Sequence, residues 1–495
     1  MKILNTIEKL GNKLPDPSIL FIFGTFFVFI LSMVISNSDV SVTDISGNKI
    51  IINNLFSSHG IWWLLSTMVN NFITFPPLGI VLVGMLGIGL AEKTGFLPAL
   101  LHSIITKVHK RMLTPMVMLL GILSSIALDA GYVVLIPLAA GLYLSAGRSP
   151  LLGIAVAFAG VSAGFSANFF ITALDPLLAG FTQIGAQIVE PNYVVAVTAN
   201  WWFMIASTIV LTLIGWGVSE KIIAPRLKNI ATKKVEENHH HNSDKNNNKA
   251  LLYSTLAFIF LLFIFFIATI FENFPLFGKG ENFDRWIEVT IPLLFIIFFI
   301  PGLIFGVLTK KVKNSHDLAK ILGDVLSGLG PYIVLAFFAA QFISAFNYSG
   351  LGNMLAISGG FFLKNLAIDN ALLLTCFVLM TVAVNIFIGS SSAKYAFFAP
   401  VFVPMLMQIG ISPELTQLSY RIGDSVSNVI TPMNPYMIII LMEVKKYIKG
   451  SGLGTVVSMM LPYTISFLII WLLLLFAWIN MEWPLGPGGN LIYQI

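Results

Sequence analysis

The sequence predicts an all-α polytopic membrane protein: about nine transmembrane helices plus two opposed re-entrant hairpins, arranged as an inverted-topology repeat. Three observations predict it. The chain is 57% hydrophobic and 10% charged, where a soluble domain carries about 25% charged residues. Its apolar runs recur along the whole length, which argues for a single membrane domain over 1–495 rather than several soluble ones. Two stretches also repeat one pattern. Tyr132, Pro137, Gly147, Ser149 and Pro150 recur as Tyr395, Pro400, Gly410, Ser412 and Pro413, each 263 positions later. Asp175-Pro176 is echoed by Asn434-Pro435, with the register slipped by four residues.

A transmembrane helix needs about 20 apolar residues. Single spans are expected at 17–37, 75–92, 150–178, 197–219, 251–272, 287–308, 327–347, 413–442 and 453–479. Two further apolar stretches, 113–146 and 367–409, are too long for one span and break in the middle. The first breaks at Asp129-Ala130-Gly131 and the second at Gly389-Ser390-Ser391-Ser392. Each is read as a hairpin, whose non-helical tip is tolerated at membrane depth only inside protein or beside a cavity. Five spans lie between the hairpins, an odd number, so the hairpins enter from opposite faces. The first repeat then covers about 61–219 and the second about 316–479. The segment 38–60 is expected as an extracellular flap or short β-element. Residues 94–111 and 314–326 read as amphipathic interfacial helices.

Charge sets the orientation. Lys2, Lys9 and Lys13 precede the first span, and Lys107, Lys110 and Arg111 precede the first hairpin. A linker of about 220–250 holds Lys221, Arg226, Lys228, Lys233, Lys234, Lys245 and Lys249, and further lysines follow at 310–313 and 445–449. The positive-inside rule places these in the cytoplasm, with the N-terminus inside and the C-terminus outside. The net charge of +5 therefore reflects basic loops and not a nucleic-acid surface. No cleavable signal peptide is expected, because the first apolar run is long enough to stay as an anchor. His239-His240-His241 lacks acidic or cysteine partners in a fixed frame and reads as part of a solvated linker rather than a metal site. The single cysteine, Cys376, excludes an intramolecular disulfide and is expected to pack in its apolar run.

Ionisable groups at membrane depth are costly and therefore point to function. The richest cluster is Ser419-Tyr420-Arg421-Ile422-Gly423-Asp424-Ser425-Val426-Ser427-Asn428. Arg421 and Asp424, three apart, share a helix face. They read as an anion-binding Arg beside a coupling carboxylate, or as an internal salt bridge, and the two readings overlap. Gly423 and Pro432 are expected to interrupt this segment, leaving backbone groups that a cavity must satisfy. In the first half, Asn168 and Asp175 are the counterparts, with Asp175 a site residue or a helix cap. Asp129 is a cap of the second hairpin arm or a handler of an ion or proton. Asn385 and Ser390 to Ser392 offer neutral oxygens that suit Na⁺ better than a divalent ion. Lys394 meets an anionic substrate group or faces water. Duplicated halves with Gly/Pro-interrupted apolar segments are the sequence mark of a secondary transporter, whose site lies where the broken elements meet.

At these residues a resemblance becomes specific. Asn385-Ile-Phe-Ile-Gly-Ser-Ser-Ser-Ala-Lys-Tyr395, Ala399-Pro-Val-Phe-Val-Pro404, Tyr420-Arg-Ile-Gly-Asp424 and Ile430-Thr-Pro-Met-Asn-Pro435 resemble the signature of the AbgT family. Gly11-Asn-Lys-Leu-Pro-Asp-Pro17 is similar to that family's opening, and the similarity covers the whole chain. These are the p-aminobenzoyl-glutamate transporters of bacterial inner membranes. The resemblance implies a homodimer in the lipid bilayer, each subunit with nine helices and two opposed hairpins. It implies substrates of the aminobenzoyl-glutamate type, export of sulfonamide antimetabolites, and Na⁺ or a proton as the coupling ion, with no tightly bound cofactor. Carried over by motif, the substrate residues are Asp175, Tyr395, Pro413, Arg421, Asp424 and Pro432, with Asn385 and Asp424 at a Na⁺ site. One departure stands out: the family usually has Trp where this chain has Tyr395, a smaller ring that still stacks on an aminobenzoyl group.

Other classes fit less well. An intramembrane protease needs paired aspartate motifs or a His-Glu-x-x-His helix. Arg421-Ile-Gly-Asp424 lacks the first glycine of a Gly-x-Gly-Asp element, so no enzyme is expected. A channel needs repeated pore rings and a continuous path. A dicarboxylate carrier built on an inverted repeat is the nearest alternative.

Overall fold

The computed structural model describes residues 17–38, 42, 49–106, 108–127, 131–227, 245–278, 280, 284–366, 368–448 and 450–494. Asp129, Lys2, Lys9, Lys13, Lys107 and the His239–His241 tract lie outside the described residues. Among the described residues the fold is all-helical, with isolated bridges but no strand. Lys49 carries an isolated bridge, residues 50–57 are irregular, and 39–41 and 43–48 lie outside the described residues.

The first half runs through α1 (Pro17–Ser36), α2 (Ser58–Ile73), α3 (Pro76–Thr94), α4 (Phe96–Thr106), α5 (Leu113–Leu123), α6 (Ile136–Ser145), α7 (Pro150–Phe158), α8 (Leu174–Ala186) and α9 (Trp201–Val218). After α10 (Lys245–Ile270) and α11 (Thr290–Leu308) come α12 (Ser315–Gly328), α13 (Gly330–Tyr348), α14 (Leu351–Asn365), α15 (Asn370–Asn385), α16 (Ser391–Met407), α17 (Pro413–Ser427), α18 (Met437–Tyr447) and α19 (Leu453–Asn480). Among the described residues, seven helices are long and apolar enough to cross a membrane, one of them α2 and α3 taken together as Ser58–Thr94.

Two expected spans, 150–178 and 413–442, are each broken. α7 runs into a π turn at Ala159–Ala163 and stops at Gly164, and the chain is non-helical until Leu174. α17 stops at Ser427, and helix resumes at Met437. Pro432 and Pro435 lie in that second gap, where a residue without an N–H cannot continue the helical ladder. Gly423 was expected to interrupt the segment and does not; it sits inside continuous α17. α2 and α14 were not anticipated, because Asn70, Asn71, Asn353 and Lys364 dilute their hydropathy. Cys376 is exposed rather than packed.

The sequence offset recurs in three dimensions. Pro150 and Pro413 begin α7 and α17, and Leu174 and Met437 begin α8 and α18, each pair 263 apart. Gly147 and Gly410 both take the left-handed conformation, φ +74° and +85°, that glycine adopts without strain at a helix end. Gly160 and Gly423 both mark close crossings. A Cβ on Gly160 would lie 2.6 Å from the Met118 carbonyl oxygen of α5, and one on Gly423 2.6 Å from the Val378 carbonyl oxygen of α15. Each broken element thus lies directly on a helix of its own half, α5 in the first and α15 in the second. Gly423→Ala is therefore expected to cost about 1–3 kcal/mol through overpacking, read as a lower Tm in detergent. Gly323→Ala in α12, with nothing within 4 Å of the added methyl, is expected to leave the Tm unchanged or raise it.

Further polar ties link the helices away from these crossings. At the base of α5 and α6, Arg148 donates to both Glu220 oxygens at 2.8 and 2.7 Å and to Thr114 at 2.9 Å. Trp471 of α19 donates to Ser207 of α9 at 2.7 Å. The C-terminal residues reach back to both halves: the Tyr493 N–H donates to the Gly410 carbonyl, Ser412 to the Asn490 carbonyl, and Thr198 to the Pro487 carbonyl.

Candidate functional site

The two broken elements meet at the centre of the molecule. The Ser166 N–H, in the first gap, donates to Ser425 Oγ of α17 at 3.2 Å. Asn434, in the second gap, donates to Ser162 Oγ of the π turn at 3.2 Å and to the Asn428 carbonyl at 2.9 Å. The gaps thus satisfy each other's polar groups, as buried irregular backbone requires.

Two buried ion pairs flank this crossing. Arg421 donates from Nη1 to Asp175 Oδ1 at 2.6 Å and from Nη2 to the Ser166 carbonyl at 3.1 Å. The other Asp175 oxygen accepts from the Thr172 N–H and hydroxyl at 2.6 and 2.8 Å. Asp175 is therefore an ion-pair partner whose second oxygen ties down Thr172 just ahead of α8, and the helix has no side-chain N-cap bond. The Lys394 ammonium lies 2.6 Å from Asp424 Oδ1 and also donates to Asn385 Oδ1. Arg421 and Asp424 share a face of α17, yet each is paired across to another helix rather than with the other. Arg421 Nε and Asp424 Oδ2 are buried without a protein partner. Breaking either pair by removing one member would strand a buried charge, at about 3–5 kcal/mol.

Of the residues named from sequence, Asp175, Asn385, Arg421 and Asp424 converge here. Pro432 lies in the second gap. Pro413 lies at the far end of α17, about 12 Å of helical rise from Arg421. The Tyr395 ring is fully buried against Tyr420, with centroids 4.3 Å apart. Its hydroxyl lies 2.7 Å from that of Thr182, which lies 2.6 Å from Gln417 Oε1. Tyr395 thus seats α17 on α8.

Beside the ion pairs is a cavity of about 170 Å³ lined by Tyr132, Gly389, Ser391, Asn428, Asn434 and Tyr436, among others. The rings of Tyr132 and Tyr436 stack at 4.0 Å. A larger cavity, about 630 Å³, lies at the C-terminal tail and is walled partly by Tyr193. Tyr193 donates to both oxygens of buried Glu414 at 3.0 and 3.1 Å. Burial, and then Glu414 beside it, pushes the Tyr193 hydroxyl well above the usual tyrosine range, so it stays a neutral donor.

Lys394 as the partner of Asp424, Glu414 and Gln417 were not singled out as site residues from sequence. A signal was present: Glu414, Gln417, Arg421, Asp424 and Asn428 recur at spacings of three and four, which is one helix face. Asn385 and Asp424 also fit the expected Na⁺ site in donor type. Asn385 Oδ1 and Asp424 Oδ1 converge on one cationic group, and Asp424 Oδ2 is a buried acceptor left open. No cluster of three or more His, Cys, Asp or Glu residues fit for a metal occurs among the described residues.

Comparison with known proteins agrees over nearly the full length. The chain is 33% identical to the p-aminobenzoyl-glutamate transport protein of Escherichia coli strain K12, covering 98% of this chain and 96% of that one. Its structure matches the Alcanivorax borkumensis YdaH transporter with a TM-score of 0.91 and 38% identity, covering 96% of this chain and 100% of that one. It matches Neisseria gonorrhoeae MtrF, described as illuminating a class of antimetabolite efflux pumps, with a TM-score of 0.90 and 40% identity over 96% of this chain and 97% of that one. Residues 2–493 match the AbgT transporter family. With charged pairs buried where its apolar helices break, and with relatives that are transporters throughout, the chain is a membrane transporter, not an enzyme, and belongs to the AbgT family.

Proposed function

We propose that this transporter is an ion-coupled secondary carrier of p-aminobenzoyl-glutamate and similar folate catabolites. The observation that carries the reading is the pair of buried ion pairs at the crossing of the two broken helices. Such groups are expensive at membrane depth and are kept for function. Aminobenzoyl-glutamate brings two carboxylates and an aromatic head. Arg421 suits a carboxylate, because its planar fork binds one bidentately. The cavity bordered by Tyr132 and Tyr436 suits the ring. Asp175, Asp424 and Pro432 border the same region, while Tyr395 and Pro413 hold α17 in place. Asn385 and Asp424 take Na⁺, or Asp424 a proton, so that ion and substrate binding are linked. Similarity to MtrF favours a second reading, export of antimetabolites such as sulfonamides.

The protein is further proposed to sit as a homodimer in a bacterial inner membrane, N-terminus in the cytoplasm. Its nine spans and two hairpins form an inverted repeat. Single cysteines placed near 130 and 389 in a Cys376-free protein should label from opposite faces; labelling of both from one face would remove the inverted arrangement.

The direct test is uptake and efflux of labelled p-aminobenzoyl-glutamate in proteoliposomes, under separately imposed Na⁺ and proton gradients. Gradient-driven accumulation is expected from one of them. Accumulation of simple dicarboxylates in place of aminobenzoyl-glutamate would make the dicarboxylate-carrier alternative the correct one.

A further inference from the structure

The Lys394 ammonium occupies a distinctive position. The side chains of Lys394 and Asp424 are fully buried, 0% and 1% exposed, with Nζ 2.6 Å from Asp424 Oδ1. The same ammonium donates to Asn385 Oδ1. Asn385 is held in that orientation, because its amide nitrogen donates to the Asp424 carbonyl, Ser427 Oγ and Asn428 Oδ1 at 2.8–2.9 Å. Its carbonyl oxygen is thereby aimed at the cation. The oxygens that meet Lys394 are the ones expected to hold a coupling Na⁺.

We propose that Lys394 is a tethered cation that competes with the coupling ion for the Asn385 and Asp424 oxygens. Ion binding drives its ammonium out toward the cavity, where it meets an anionic group of the substrate. This rests on the ion-coupled reading given above. Three points carry it. Two cations within a few ångströms repel strongly in a buried site, and one carboxylate balances only one of them. Asp424 Oδ2 is an open acceptor beside the occupied one, so an entering ion has a first foothold. Lys394 also lies in the first turn of α16, three residues from Ser391, which lines the cavity. Residues at that spacing share a helix face, so the flexible four-carbon stem of Lys394 has a short path to the cavity. Release of the ammonium would raise positive potential at the cavity when the ion is bound, so ion and anionic substrate would bind cooperatively.

The test uses purified full-length protein in detergent. Thermal unfolding is followed against NaCl, with choline chloride holding ionic strength constant. Lys394→Met is expected to lower the Na⁺ concentration for half-maximal stabilisation at least tenfold, and Lys394→Met/Asp424→Asn to abolish the response. In the unmodified protein, acylation of Lys394 by an amine reagent, read by peptide mass spectrometry, is expected to rise with Na⁺ and not with choline. That measurement holds even if Lys394→Met folds poorly. An unchanged or higher half-saturation in Lys394→Met, a Na⁺ response that survives in the double variant, or Lys394 labelling indifferent to Na⁺ would overturn the proposal. A shift in Tm on adding p-aminobenzoyl-glutamate to the same samples reports substrate binding separately. Loss of the Na⁺ effects with that shift intact removes the tethered cation alone, and absence of the substrate shift removes the broader reading.

Discussion

Arg421→Lys is expected to lower equilibrium affinity for p-aminobenzoyl-glutamate by about ten- to hundredfold, while the protein still inserts and folds. The range corresponds to one hydrogen bond between charged groups, about 1.5–3 kcal/mol. Arg421 holds Asp175 with one terminal nitrogen and the Ser166 carbonyl with the other, and its Nε is buried without a partner. A guanidinium can exchange one of these acceptors for a substrate carboxylate and keep another. A lysine ammonium keeps the charge but not the fork. It would satisfy Asp175 and have no second arm for the ligand. Arg421→Ala should behave differently. It strands the Asp175 carboxylate in a buried site, at about 3–5 kcal/mol, and should lower the yield of folded protein. Binding measured on purified protein separates the two variants. Near-normal affinity in Arg421→Lys would take Arg421 out of the substrate site.

The second large effect is expected at Asp424. Asp424→Asn leaves the Lys394 ammonium buried beside two amides, with no counter-charge. The single variant should lose about 3–5 kcal/mol of stability by the same reasoning, seen as a fall in Tm of several degrees. Adding Lys394→Met removes the stranded charge, so the double variant should regain most of that stability. It should not regain gradient-driven flux, because the carboxylate that links ion to substrate is still missing. Flux that follows the gradient in the double variant would rule out Asp424 as the coupling residue, whatever its part in folding.

Much of the helix pattern was legible in the chain. α1, α9, α11, α13 and α19 fall within a few residues of the apolar runs that announce them, because hydropathy over about 20 residues is a strong local signal. The 263-residue offset was legible too, since its marks are glycines and prolines whose backbone demands are local. What hydropathy did not carry was the break in each of 150–178 and 413–442. The gap from Gly164 to Ala173 is almost as apolar as its flanks, so its loss of helix is a tertiary matter, compensated by Ser425 and Arg421 from the other half. Partner choice was equally hidden. A spacing of three places Arg421 and Asp424 on one face, but only the fold brings Asp175 to the first and Lys394 to the second. Gly423 reads in sequence as a helix breaker, and in the structure it is the clearance that lets α17 cross α15.

The C-terminal residues bond at once to Thr198, ahead of α9, and to Gly410 and Ser412, ahead of α17. They therefore tie down that end of α17, so that any rotation of the helix would turn about it. One end of α17 is fastened to both halves of the molecule, and the other, at Asn428, borders the cavity and the non-helical residues 386–390. About 22 Å of helical rise separates the two ends, so a rotation of about 5° about the pinned end moves the free end about 2 Å. That travel is comparable to the length of a hydrogen bond, enough to part Asn428 from Asn385 while Pro413 scarcely moves. Movement at the crossing thus needs no slippage at the pinned end, and a bulky fusion placed directly after Tyr493 would load the pivot instead of the lever.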